Sequence, residues 1–341
     1  MNTAARSLSH SLFRDREAAL ANSAVLLWVM SGWAVSFPCM AAQSVALNIL
    51  GVLLCVHTMV LAAYLIHEAA HQTLFAVRWA NSWAGEAMSF IAGSAYGSFE
   101  RIRHMHIRHH TDRVDLTCFD FKGLMHRQPT LRRSLQVLEW CYLPATETLM
   151  HLQVVWRPLF SRAHRPFLAR SMAMLALRVG LLVLLGLWSL KALVLYFVAA
   201  GLLLHVLNFF DAFHHTFEQH FVAPDEPIAR GSRDRVYELA NTYSNLLSTS
   251  HPWLNLLTLN FSYHNAHHER ASVPWYKLPA YHQALYGEHD TAVMPLRELL
   301  RTWHRHRVRR VASDDYGVPG QGEGRADAFV GAHGVSFLTV I

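Results

Sequence analysis

The sequence predicts an all-α integral membrane protein: four transmembrane helices and a cytoplasmic helical cap carrying a histidine-rich site for two metal ions. Three observations predict it. Hydrophobic residues make up 52% of the chain and charged residues only 16%, and the apolar residues gather into runs able to cross about 30 Å of hydrocarbon. Histidines recur in three short boxes, His67-Glu-Ala-Ala-His71, His106-Ile-Arg-His109-His110 and His264-Asn-Ala-His267-His268. Lysine and arginine crowd the N-terminal lead-in, a long central loop and the C-terminal region, and are nearly absent from the two short connections between apolar runs. The positive-inside rule puts the basic segments, and every box with them, on the cytoplasmic face.

Residues 1–20 form a polar lead-in with Arg6, Arg14 and Arg16. No cleavable signal peptide is predicted: the first apolar run starts only after Arg14, Arg16 and Glu17, and leads straight into another. The first span is predicted over 22–37, ending at Pro38, and the second over 44–66, running directly into the first box. Residues 81–98 are apolar but interrupted by Glu86 and glycines, as in an interfacial or re-entrant segment. The basic loop holds the second box at its start, and Leu131 to Val155 reads as partly amphipathic helix packed against the site. Spans three and four are predicted over 172–188 and 190–210, joined at Ser189-Leu190-Lys191, with Arg178 snorkelling or facing the protein interior. From Asp211 onward the chain is more polar and carries the third box. Residues 1–310 read as one domain and the glycine-rich 311–341 as a flexible tail.

The net charge of +6 does not make this a nucleic-acid binder, because the basic residues flank apolar spans and no recognition motif accompanies them. Cys39, Cys55, Cys118 and Cys141 form no CxxC pair and lie far apart, so neither a disulfide framework nor a cysteine metal site is suggested.

Residues three and four apart on a helix share a face, so each box offers imidazoles pointing one way. Neutral imidazole is a common ligand for iron, zinc and copper. Eight such nitrogens exceed what one four-coordinate zinc can use, but suit two metals with positions left open. Iron with nitrogen ligands and open positions binds and cleaves oxygen, so the predicted chemistry is oxidation of an unactivated C–H bond in a substrate held in the membrane. A different class competes on the first box alone: His67-Glu68-x-x-His71 fits a zinc metalloprotease with Glu68 as general base. That reading leaves the other two boxes unexplained. A metal transporter or store would need polar groups within the spans, where they are scarce.

The order HxxxH, HxxHH, HxxHH, with paired spans before and between, resembles the membrane fatty acid desaturase superfamily over roughly residues 40–285, and Pro274-Trp-Tyr-Lys-Leu-Pro279 adds to the likeness. The resemblance implies two iron ions held by His67, His71, His106, His109, His110, His264, His267 and His268, with O2 as co-substrate. It also implies a ninth histidine from the end of the fourth span. In Asp211-Ala-Phe-His214-His215-Thr-Phe-Glu218, His215 is preferred to His214 on its helical spacing from Asp211, which would hold a metal-bound water. The implied substrate is a fatty acid or fatty acyl chain. The implied reaction is desaturation, with hydroxylation, or oxidative decarboxylation of medium-chain free acids to terminal 1-alkenes as in the alkene-forming branch, as alternatives. Without haem, flavin or cysteine-cluster motifs, electrons come from an external ferredoxin or cytochrome with its reductase. The expected setting is the bacterial inner membrane, amid membrane lipid, with both termini and the site cytoplasmic.

Imidazole ligands need partners for their other nitrogen; Glu68, Asp112, Asp115, Glu218, Asn265 and Glu269 are candidates. His104 is at most a supporting group. His57, His151, His205, His220 and His251 read as structural. Aromatic residues near Trp79, Trp83, Phe90, Tyr96, Trp253 and Tyr263 would line an acyl tunnel or simply fill the core.

Overall fold

In the computed structural model, which describes residues 12–221, 228–229, 231–287, 291–336 and 338–339, the first apolar hairpin is α1 (Arg16–Ala41) and α2 (Val45–Ala70). Asp15 starts α1 by accepting the Ala18 amide, and Ser44 starts α2 by accepting that of Leu47; both satisfy amides that a first turn leaves without a carbonyl. Pro38, expected to end the first span, lies inside α1. The helix continues for another turn, and Asn48 donates to the carbonyls of Cys39, Met40 and Ala42 at its end. With 26 residues, α2 is about 39 Å long at 1.5 Å per residue. Its last turn therefore projects past the hydrocarbon and carries His67.

The weakly apolar stretch after the first box is an ordinary amphipathic helix, α3 (Arg78–Ala92), closed by Gly93 in the left-handed conformation at φ 89°. Trp79 and Trp83 are exposed on it, as suits a helix lying in the membrane interface and not a tunnel wall. Next come α4 (Phe99–Arg108), a single π-helical turn (His109–Arg113) and the short strand β1 (Asp115–Thr117). The predicted helix over 131–155 is two helices. After α5 (Phe121–Arg127), α6 (Pro129–Trp140) and α7 (Ala145–Phe160) are broken apart at Cys141–Pro144, where Tyr142 takes φ 59° and proline denies α7 an upstream amide.

The second hairpin is α8 (Leu168–Trp188) and α9 (Leu190–Ala212), turned at Ser189, which caps α9. Among the described residues, four helical segments, Arg16–Ala41, Val45–Ala70, Arg162–Trp188 and Leu190–Ala212, are long and apolar enough to cross a membrane. They are longer than the predicted spans because polar ends extend each helix beyond its apolar centre. Arg178 faces inward: its guanidinium donates to the Phe90 carbonyl and the Tyr196 hydroxyl and lies over the Phe90 ring. The Lys191 ammonium donates to the Ala42 carbonyl, so both hairpin turns sit together at one end. All three boxes lie at the other. The largest core cluster joins α1, α2, α3 and α9, and the half of α2 nearest the boxes is buried continuously from Thr58 to Ala70.

The rest of the chain caps that end: β2 (Gln219–Phe221), α10 (Arg235–Ala240), α11 (His264–Glu269), α12 (Leu278–Tyr286) and α13 (Leu296–Arg310). β1 and β2 pair in parallel, Asp115 against Gln219, which ties the segment after the second box to the segment after α9. The C-terminal stretch is not the flexible tail that its glycines suggested. Ala326, Phe329, Val330, Ala332 and His333 are buried, and the Ala332 amide donates to the Ala212 carbonyl at the end of α9. Its glycines serve close packing. Gly331 has φ +84° and a Cβ there would stand 2.7 Å from the Ala212 carbonyl oxygen; at Gly334, φ +73°, it would overlap the Phe121 ring.

Candidate metal centre

The cap and the end of the bundle bring nine predicted histidines into two adjoining groups. His67, His71, His106, His110 and His267 form one; His109, His215, His264 and His268 form the other, and within each group the ligand atoms lie within 4.8 Å of one another. The division follows helix geometry. His67 and His71, and His106 and His110, are pairs four apart that stay together in the first group; His264 and His268 stay together in the second. The histidine between crosses over: His109 joins the second group and His267 the first. Each HxxHH box thus bridges both groups, and the π turn at His109–Arg113 re-aims the second box at its end.

His215, and not His214, reaches the cluster because of how the chain leaves α9. Residues 214–216 pair with 241–243: the Tyr243 amide donates to the His214 carbonyl, and His215 forms a bridge with Thr242. His214 is turned away, with Nε2 2.9 Å from Asn245 Oδ1 and its ring stacked on His264.

In three rings of the second group, outer partners fix which nitrogen carries the proton. His109 Nδ1 lies 2.9 Å from the Val114 carbonyl, and His268 Nδ1 3.0 Å from Glu238 Oε1. The Thr242 hydroxyl spends its proton on the Glu238 carbonyl, so it accepts from His215 Nδ1 at 3.3 Å. With the proton on Nδ1, each Nε2 carries a lone pair pointing inward. His264 Nε2 lies 2.8 Å from His215 Nε2, and the pinned rings of His109 and His215 face each other, Nε2 to Nε2, at 3.1 Å. Facing lone pairs at that distance repel unless a cation lies among them. In the first group the Nε2–Nε2 distances are 3.0 Å for His67–His267 and 2.7 Å for His71–His106. Burial first, then neighbouring imidazoles, push His71, His106, His110, His215, His264, His267 and His268 well below the usual histidine range, and burial takes His109 down to about 4. Neutral, desolvated nitrogen donors aimed at common points fit metal ions such as iron or zinc.

A cavity of about 70 Å³ opens on this arrangement, lined by His106, His109, His214, His215, His264 and Asp211 among others. Asp211 therefore lies on the cavity wall and not among the converging nitrogens. Of the supporting groups expected, Glu68 reaches His67 Nδ1 at 3.3 Å and Asp115 stands 3.5 Å from His109 Nδ1. Asp112 pairs with Arg108, Glu218 with Arg233 and His220, Glu269 with Arg235, and Asn265 accepts from Ser244. His104 is exposed. Glu238, Thr242, Asn245 and the Val114 carbonyl were missed, and no spacing signal marks them. Glu238 does most: buried, it receives His268, Arg113 and Arg235 together.

Glu68 is not arranged as a protease base. Its Oε2 accepts from the Thr73 hydroxyl and the Trp275 amide while Oε1 faces His67 Nδ1, on the far side of that ring from the inward nitrogen. The fatty acid desaturase family matches residues 44–299, three quarters of the chain and all three boxes. The chain belongs to that family. Among curated proteins none matches it. Family membership and the four apolar helices make it an integral membrane oxidoreductase of the desaturase type, acting on fatty acyl chains. The family is generally iron-dependent, and the two histidine groups are where this desaturase would hold metal. The match stops short of the C-terminal segment, whose Val335 and Ser336 also line the cavity.

Proposed function

We propose that this desaturase family member is a di-iron oxidase that uses O2 and electrons from an external ferredoxin or cytochrome to place a double bond in a fatty acid or fatty acyl chain. The observation that carries the reading is the pair of groups, five and four converging imidazoles, beside one cavity. His67, His71, His106, His110 and His267 would hold one iron; His109, His215, His264 and His268 the other. Iron at these sites supplies O2 binding and reduction with abstraction of hydrogen from carbon. The chain's own residues do the rest. Val114, Thr242 and Glu238 keep protons on the outer nitrogens, which holds each ring in its donor orientation. Met105, Leu116 and Phe261 on the cavity wall give an alkyl chain apolar contact and exclude water. Asp211, facing the same cavity, would hold a water there.

The single desaturase-like domain would sit in the bacterial inner membrane with both termini and the metal centre cytoplasmic, supported by the charge of the loops and by the clustering of the boxes at one bundle end. Mass spectrometry of lipids and headspace gas from expressing cells, against a His267→Ala control, tests the reaction. Internally unsaturated acyl chains absent from the control are expected. Terminal alkenes one carbon shorter than the fed acid, or hydroxylated chains, would replace desaturation by another outcome of the same oxidation. Bound zinc with no acyl product would overturn the reading.

A further inference from the structure

A second, smaller cavity adjoins the one at the metal centre and shares Asp211, Val335 and Ser336 with it. It lies between α7, α9 and the C-terminal segment, and Glu147, His151, Asn208 and Thr339 are among its walls. Its volume is about 20 Å³. A single water needs about 10–15 Å³, so the space takes a water and excludes an alkyl chain.

Glu147 belongs to a buried charged cluster that the metal centre does not use. Glu139 from α6, Glu147 from α7, Arg310 from α13 and His333 from the C-terminal segment are all less than a tenth exposed. Ligand atoms of Glu139, Glu147 and His333 lie within 4.8 Å of one another, with His333 Nδ1 3.4 Å from Glu147 Oε1. Arg310 donates through Nε to the Val330 carbonyl and lies over the Trp303 ring. Among the described residues, Arg310 Nη2 and His333 Nε2 have no hydrogen-bond partner, and the Glu147 carboxylate has just the long contact to His333 and the Asn208 side chain. Open valences on this scale mark a place where something small and mobile binds.

Charge decides what. Two carboxylates against one guanidinium leave one negative charge uncompensated, and a buried net charge is costly. A divalent cation would overshoot to one positive. A single proton brings the cluster to zero. Burial, and then the charge of Glu139, push the Glu147 carboxyl up, and burial does the same to Glu139.

We infer that Glu147 holds a proton for the Glu139–Glu147 pair and delivers it, through the water-sized passage past Asn208 and Ser336, to the metal-centre cavity. The inference rests on the O2-reducing reading above. Forming one double bond removes two hydrogens, with their electrons, from the chain. A one-electron protein donor, acting twice, adds two more electrons but no protons. One O2 becomes two waters, so two protons must enter from solvent in each turnover. Glu147 passes them singly and is refilled through Glu139, at the end of α6 where Cys141 and Tyr142 are exposed. The charged or titratable groups facing Glu147 are Glu139, His151, Arg310, His333 and, across the small cavity, Asp211.

The test uses the full metal-loaded protein in lipid nanodiscs, with reduced ferredoxin, its reductase and the acyl substrate found by lipid analysis, and follows O2 uptake and product. Glu147→Gln is expected to slow turnover on the order of 100-fold, to enlarge the effect of D2O, and to keep its metal. In the unaltered protein the rate should fall as pH rises above about 8, where Glu147 loses its proton; the variant should lose that limb. Glu147→Asp should restore part of the rate. Asn208→Leu blocks the passage and keeps Glu139, Glu147, Arg310 and His333 in place, removing only the Asn208 contact to Glu147, so it carries the test if Glu147→Gln fails to fold, and is expected to give the same slowing. Variants with the unaltered rate and pH limb would overturn the inference alone. So would a third divalent ion lost with both Glu147→Gln and His333→Ala, which would make the cluster a cation site. A metal-loaded unaltered protein that takes up no O2 would overturn the proposed function, and this inference with it.

Discussion

The two histidine groups are built from the same side chain yet differ in how they are held and what they face. The five-membered group stands mainly on long helices: His67 on the buried end of α2, with His71 capping it, and His106 on α4. The four-membered group stands on a π turn, a loop pairing and the short α11. It compensates with outer bonds, His109 to Val114, His215 to Thr242 and His268 to Glu238. It also faces the cavity more fully, since His109, His215 and His264 line it while only His106 does so from the larger group. One site is rigid because its backbone is packed. The other is rigid because its side chains are pinned, and it has the fewer nitrogens where a substrate would approach.

That difference can be broken or sharpened by substitution. The largest effect is expected from His267→Ala, which should abolish activity and empty the larger group, read by iron content and product analysis. His215→Ala should also abolish activity but release only the metal of the smaller group. Its neighbour is a contrast: His214→Ala leaves Asn245 Oδ1 without its bond, which costs about 1–3 kcal/mol of stability, while both metals stay. Glu238→Ala should weaken the smaller group selectively, by roughly 10- to 100-fold in metal affinity, so that a chelator titration becomes biphasic. Asp211→Asn should keep both metals and lower turnover roughly 10-fold, through loss of an outer hydrogen bond. His57→Ala, which removes only a contact to the Trp28 indole, should leave metal content and turnover as they are.

The spans and the boxes were legible in the sequence because apolar length and the spacing of three and four are local properties. The assignment of neighbouring histidines to different groups was not. It depends on where the backbone of α4 widens into a π turn and on how α11 is set against α2, both tertiary facts. Glu238 was invisible for the same reason: it lies in a polar stretch without a box, and its value comes only from meeting His268, Arg113 and Arg235. Pro38 and the C-terminal glycines misled in the opposite direction. A proline in the last turns of a helix removes just the bond to the carbonyl four residues back and need not end it, while Asn48 takes the end carbonyls, and a glycine can be present because a neighbour leaves no room for a Cβ.

The backbone bond from Ala332 to Ala212 has a practical side. It makes the segment from Ala332 to Ser336 part of the chamber's wall, next to the turn of α9 that presents Asp211. A bulky substitution within 331–336 would press on that wall, whereas the opposite face, at the Ala42 and Ser189 turns, offers insertion points remote from every histidine box.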